Sequence, residues 1–232
     1  MKIIKSLIKS IKSLTRFEKW LWAVSSTTIL FSLLATEAPD ILVIFATLIG
    51  IGALVFTAKG DVLGQILIII FSLLYAAVSY RFAYYGEMIS YVFMSGTIAL
   101  LSTISWIRHP YSEKQVKICR PSIKALAIVA LLGAVVTVAF YFILKALGTS
   151  NLLFSTISIT TSFIASALTL LRSPHYALAY AANDVVLIVL WTLAAIADTS
   201  SIPMIICFVM FFVNDLYGFF NWLRMEKLQN GR

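Results

Sequence analysis

Cysteine is nearly absent: Cys119 and Cys207 are the only two in 232 residues. They lie far apart with no His or Cys close by, which excludes a disulfide framework and a zinc-ligand spacing. Histidine is as scarce. His109 and His175 fall in separate segments, and no nucleophile–base pair or metal cluster accompanies them. No enzyme, cofactor or metal centre is therefore expected. Charge is thin as well, at 12% of residues against about 25% in soluble domains. Strict alternation of apolar and polar residues is missing too, which excludes a transmembrane barrel. What fills the chain is oil: 61% of residues are hydrophobic. These proportions describe an integral membrane protein of the all-α class.

Eight apolar segments stand out, at about 19–36, 40–58, 62–81, 88–107, 122–147, 151–171, 176–197 and 202–223. Most hold near twenty residues, enough to span about 30 Å of hydrocarbon as helices. Helices are required because backbone groups find no water there. Before them, residues 1–18 include MKIIKSLIKSIKSLTR, in which Lys2, Lys5, Lys9, Lys12 and Arg16 recur at helical spacing. Ile4, Leu7, Ile8, Ile11 and Leu14 fill the other face. This predicts a basic amphipathic helix on an anionic lipid surface. Residues 20–35 also have signal-peptide character, but the preceding basic region is long for one, and no cleavage is expected.

The net charge of +8 reads as topology and not as nucleic-acid binding. With the N-terminus inside, sixteen of the eighteen Lys and Arg residues fall on the inner side. Only Arg81 and Lys145 fall outside. Both termini are therefore expected in the cytoplasm, with residues 224–232 a cytoplasmic tail.

SWIRHP (105–110) and NWLRME (221–226) align Trp106 with Trp222 and Arg108 with Arg224, an offset of 116. Carried back, the offset pairs Leu100 with Leu216, Met94 with Met210 and Leu74 with Leu190. The predicted fold is two parallel three-helix repeats, 40–107 and 151–223, joined by a linker transmembrane helix at 122–147. The helix at 19–36 is an extra N-terminal span. Parallel repeats of this kind occur among transporters, SWEETs included.

The last segment carries polar residues in oil: FFVNDLYGFFNWLRMEK (211–227). Asn214, Tyr217, Gly218 and Asn221 share one helical face, and Asp215, Gly218 and Trp222 an adjoining stripe. ANDVVLIVLW (182–191) adds Asn183, Asp184 and Trp191. Gln65, Ser72 and Ser79 recur at sevens in 62–81, and Tyr91, Ser95 and Ser102 lie in 88–107. A carboxylate at the bilayer centre costs about 2.5–3.5 kcal/mol, so such groups face protein or a wet cavity. Amides and hydroxyls here either bond helix to helix, for about 0.6 kcal/mol each, or line a ligand site. The indole and amide lining suits an aromatic, hydroxylated solute that is neutral or cationic. Few Lys or Arg lie within the spans, so no phosphate clamp is expected. Asp184 and Asp215 could also pair near a membrane face.

At these residues the chain resembles the PnuC family of bacterial vitamin B3 precursor transporters. The resemblance lies in VNDLYGFFNW (213–222), ANDVVLIVLW (182–191), AYYGEM (83–88) and SWIRHP (105–110), and runs over about 40–227. It implies a SWEET-like core and nicotinamide riboside as substrate, taken up by facilitated diffusion through alternating access in the bacterial inner membrane. It also implies homotrimers and a cytoplasmic kinase that traps the solute by phosphorylation. The expected site is Trp191 stacked on the pyridinium, Asn183 and Asn214 on the carboxamide or ribose, Gln65 closing the far side, Tyr217 supporting Asn214, and Asp184 nearby. The first repeat departs from the second, with Ile98, Leu101 and Ser102 where Asn214, Tyr217 and Gly218 stand, so most polar recognition is expected from the second half. A SWEET-like sugar uniporter is the alternative.

Overall fold

Hydrophobic runs this long must satisfy their own backbone, and the chain does so with helices throughout. The structure, a computed structural model, describes residues 10–36 and 40–231. The expected basic helix falls largely on residues outside that range; residues 10–12 are helical. The long elements are α1 (Arg16–Leu34), α2 (Ile41–Ala58), α3 (Val62–Arg81), α4 (Tyr85–Ile89), α5 (Thr97–Arg108), α6 (Ile123–Ala146), α7 (Leu152–Leu170), α8 (Tyr176–Ala197) and α9 (Ile202–Gln229). A π-helical stretch, Ser90–Gly96, joins α4 to α5. Among the described residues, seven helical stretches are long and apolar enough to cross a membrane: α2, α3, Tyr85–Arg108, α6, α7, α8 and Thr199–Gln229. α1 falls outside that set. Glu18, Lys19 and the run Ser25-Ser26-Thr27-Thr28 dilute its apolar surface.

The helix starts are written in short polar side chains. Thr15 and Glu18 form a reciprocal capping box on α1. Asp40 accepts from Leu42 N at 2.8 Å, Asp61 from Leu63 N at 3.0 Å and Ser122 from Ala125 N at 3.2 Å. Each satisfies an orphan backbone donor. Gly60 (φ 72°) turns the chain tightly between α2 and α3, a conformation open to glycine at little cost. Short connections make consecutive helices antiparallel, so the first and last described residues lie at one end of the bundle, where Lys114 meets Ser10 and Ile118 meets Gln229.

α9 packs on α8, α2 and α1, while α7 packs on α8, α6 and α5. A small antiparallel hairpin, β1 (Pro110–Ser112) and β2 (Gln115–Val116), closes the end that holds the termini. α9 runs past the expected 223 to Gln229, because its last turn is pinned there. Arg120 grips Glu226 with two bonds, 2.6 and 3.0 Å, and Gln229 bonds Ile118 N and Val116 O. α6 is the least enclosed span, with only Val129, Gly133 and Leu144 buried. It meets α7 through the hydroxyls of Thr137 and Thr160, 2.6 Å apart.

Candidate functional site

The interior of the bundle is aromatic toward the end away from the termini. Trp191 is fully buried, and its Nε1 donates to the Tyr75 hydroxyl at 2.9 Å. The rings of Phe82 and Tyr84 stand nearly perpendicular to it, with centroids 5.0 and 5.3 Å away. Tyr75 in turn meets Tyr91 at 4.4 Å. Tyr84 latches this layer: its hydroxyl donates to Leu190 O at 3.0 Å and receives Asn151 Nδ2 at 3.2 Å.

Below the aromatic layer lies a narrow cavity of about 40 Å³. Gly50 of α2, Tyr91 and Ser95 of the π-helical stretch, Asn183 and Asp184 of α8, and Asp215 of α9 line it. Gly50 is required by space: a Cβ there would lie 2.4 Å from the Phe211 ring. The π-helical stretch matters because the extra residue per turn shifts the following side chains round the axis. Ligand pockets commonly hold about 300–1,000 Å³, so the bundle is closed around this site. A wider hollow of about 410 Å³ lies beside the hairpin, lined by Asp61, Trp106 and Gln115 among others. It opens at the bundle end and not between the spans, so the inner cavity is the candidate for a solute in transit.

Asn183 is held by its oxygen. Oδ1 accepts from Thr161 at 2.7 Å and from Ser158 at 3.3 Å. Both donors come from α7, which leaves the Nδ2 donors free of partners among the described residues. Asp184 and Asp215 stand side by side at the cavity wall, carboxyl to carboxyl, and Asp184 Oδ2 is buried without a further partner among the described residues. No ion pair among the described residues involves either carboxyl. Tyr180 is turned to α7 through Ser166, 3.0 Å away.

Of the six residues expected at the site, Asn183 and Asp184 line the cavity together. The other four do not. Trp191 lies one aromatic layer above, its rim covered by protein rings and its N–H spent on Tyr75. Asn214 turns away, with Nδ2 donating to Ser25 of α1 at 2.9 Å and to Met210 O at 2.7 Å. Tyr217 follows it, its hydroxyl donating to Glu18 Oε1 at 3.1 Å. Gln65 is buried outside the cavity, its Nε2 without a partner among the described residues. The reason is helical phase. Phe211 and Asp215 are four apart and face inward, so Asn214 and Tyr217, three apart on the adjoining stripe, face α1.

Glu87 also differs from expectation. It falls in the connection between the apolar segments 62–81 and 88–107, yet it is fully buried, and neither carboxyl oxygen has a partner among the described residues. Nothing in its local pattern marked burial, since two residues into a helix usually means the membrane rim. At the opposite end, Glu18 is tied to Lys59 at 3.2 Å, and Lys59 also donates to Ser13 O. Burial raises the Glu18 carboxyl pKa, but the Thr15 N–H and the Lys59 charge outweigh it, and the net shift is downward.

Comparison with known proteins agrees with this picture. The chain is 25% identical over 193 residues to the nicotinamide riboside transporter PnuC of Neisseria mucosa, covering 81% of this chain and 73% of that one. A crystal structure of the vitamin B3 transporter PnuC superposes with a TM-score of 0.82 at 24% identity, over 94% of each chain. That likeness shows the fold. The family described as nicotinamide mononucleotide transporter matches residues 40–224. With the family match running over most of its length, this multi-pass bundle is a transporter and not an enzyme, and the chain belongs to the PnuC family of nicotinamide mononucleotide transporters.

Proposed function

We propose that this chain carries nicotinamide riboside across the membrane by facilitated diffusion, as a uniporter with alternating access. The observation that carries the reading is the inner cavity, where an amide with free donors meets a carboxyl pair that has no ion-pair partner among the described residues, beneath an aromatic layer. The solute offers a cationic pyridinium, a carboxamide and ribose hydroxyls, which are the complements of those groups. Asn183 Nδ2 bonds the carboxamide or ribose. Trp191 takes the pyridinium face when Tyr91 swings aside and joins cavity to aromatic layer. Gln65 meets the solute toward the end that holds the termini. Asn214 and Tyr217 serve the site indirectly, by fixing α9 against α1.

The riboside is favoured over the mononucleotide by charge. No Lys or Arg among the described residues lines the cavity, and the Asp184–Asp215 pair disfavours a phosphate. The membrane potential favours inward movement of a cation by about 2.3 kcal/mol per 100 mV, so no driving ion is needed. Phosphorylation by a cytoplasmic kinase then traps the product.

The architecture we infer is two three-helix repeats, α2–α5 and α7–α9, joined by α6, with α1 added outside. Two contacts support it. Trp106 and Trp222, 116 residues apart, have ring centroids 5.5 Å apart. Tyr75 and Trp191, also 116 apart, are hydrogen-bonded near the other end. Equivalent residues meet each other near a symmetry axis, and two such pairs at opposite ends support an axis along the bundle. The Lys and Arg distribution supports a bacterial inner-membrane topology with both termini cytoplasmic. The broad apolar face of α6 suits lipid or a neighbouring copy in a homotrimer.

Titration of the purified chain with nicotinamide riboside, nicotinamide mononucleotide and glucose, followed by tryptophan fluorescence, tests the reading. Saturable binding of the riboside alone is expected. Binding of glucose instead supports a sugar uniporter, and binding of the mononucleotide alone overturns the charge argument.

A further inference from the structure

Glu87 has no role in the site as described so far. It lies in the first turn of the α4 stretch, at the end of the bundle away from the termini, yet is fully buried. Both its carboxyl oxygens lack a partner among the described residues. Ser158 lies beside it, but the Ser158 hydroxyl proton goes to Asn183 Oδ1. No Lys or Arg among the described residues pairs with it. An isolated carboxylate in such a setting is retained at a cost.

Its neighbours say what it faces. Tyr75, Tyr84 and Tyr91 all lie within electrostatic range of Glu87. Tyr91 is also within range of Asp184, and its ring lines the cavity. The groups around the lower pair are Tyr91, Tyr176, Tyr180 and the Cys207 thiol, with no cation among them. Glu87 and the Asp184–Asp215 pair thus share one neighbour, the Tyr91 ring, which lies four residues on from Glu87 and lines the cavity. The three carboxyls are too dispersed to hold a metal ion together. Buried carboxyls with aromatic rings and no cation beside them suit an organic cation, which the carboxyls attract and the ring faces accept.

We propose that Glu87 is a specificity-determining residue: with the Asp184–Asp215 pair it forms two successive counter-charges, bridged by Tyr91, that select a monocationic solute over a neutral one of similar shape. This deepens the transport reading and takes the solute path from it. The Ser158–Asn183 bond couples the two levels, because Ser158 touches the upper carboxyl and holds the amide of the lower site.

The test compares two probes that share a ring and carboxamide and lack ribose: the 1-methylnicotinamide cation and neutral nicotinamide. Their affinities for the purified full-length chain are read by tryptophan fluorescence, beside wild-type binding of nicotinamide riboside. The expected wild-type preference for the cation is about tenfold, the scale of one close charge pair in a partly screened interior. E87Q and D184N, both near-isosteric, should each reduce that preference at least threefold. An unchanged preference in folded E87Q overturns the role of Glu87. Absence of any cation preference in the wild type overturns it without recourse to variants. Cation preference without riboside binding leaves the counter-charges standing and removes the proposed cargo; riboside binding without cation preference does the reverse.

Discussion

Trp191 Nε1 donates to the Tyr75 hydroxyl at 2.9 Å, a bond between helices α8 and α3 made 116 residues apart. It holds the indole within the aromatic layer that roofs the cavity. Replacing Tyr75 with Phe strands a buried donor, which costs about 1–3 kcal/mol. Y75F should unfold at lower temperature and shift the tryptophan emission. If Trp191 meets solute, W191A should weaken riboside binding tenfold or more with the helical content retained, as measured by calorimetry and circular dichroism.

Asn183 combines an oxygen fixed by α7 with nitrogen donors directed to the cavity. N183A removes a solute partner and leaves the Ser158 and Thr161 hydroxyls able to turn to backbone carbonyls of their own helix, as Thr161 already does toward Ile157 O. Riboside affinity should fall about tenfold, the scale of one hydrogen bond to a charged or strongly polar ligand. Melting temperature should change little.

Asn214 and Ser25 make the opposite prediction. Their bond joins α9 to α1, outside the cavity. S25A should loosen α1 by about 0.6 kcal/mol, the mean for hydrogen bonds between membrane helices, while leaving riboside affinity within twofold. Hydrogen exchange along residues 16–34 reads the first effect and fluorescence titration the second. A large affinity loss in S25A would make α1 part of the binding machinery.

Glu18 gives α1 a pH dependence. Its carboxyl pKa is lowered from 4.5 in the folded chain. A depressed carboxyl stabilises the fold above its unfolded pKa and loses that contribution as pH falls through the folded value. Attachment of α1 through Lys59 and Tyr217 should therefore be constant from pH 8 to 5 and weaken below about 4.5. E18Q should remove the dependence. Proteolysis or hydrogen exchange at residues 16–34 across this range measures both.

The helices were legible because oil in runs of twenty leaves the backbone one solution, and their starts because Asp40, Asp61 and Ser122 are short acceptors placed before apolar runs. The hairpin at 110–116 was not, since five short-range residues carry no periodicity. Asn183 and Asp184 were legible as polar residues that must face protein. Which partner they faced was not. The stripe of Asn214, Tyr217 and Asn221 looked like a ligand face for the same reason that Asp215 did, and helical wheels cannot tell two buried stripes apart.

Sequence by itself determined that this chain lives in lipid, that it is helical, and that a few amides, carboxyls and indoles must be sheltered from hydrocarbon. These follow from desolvation, which acts on each residue wherever it packs. Tertiary structure alone decided what shelters each one: α1 covers Asn214 and Tyr217, aromatic rings enclose Trp191, and Asp184 meets Asp215 directly. The choice depends on the rotation of each helix about its axis, and that angle is set by neighbours distant in the chain.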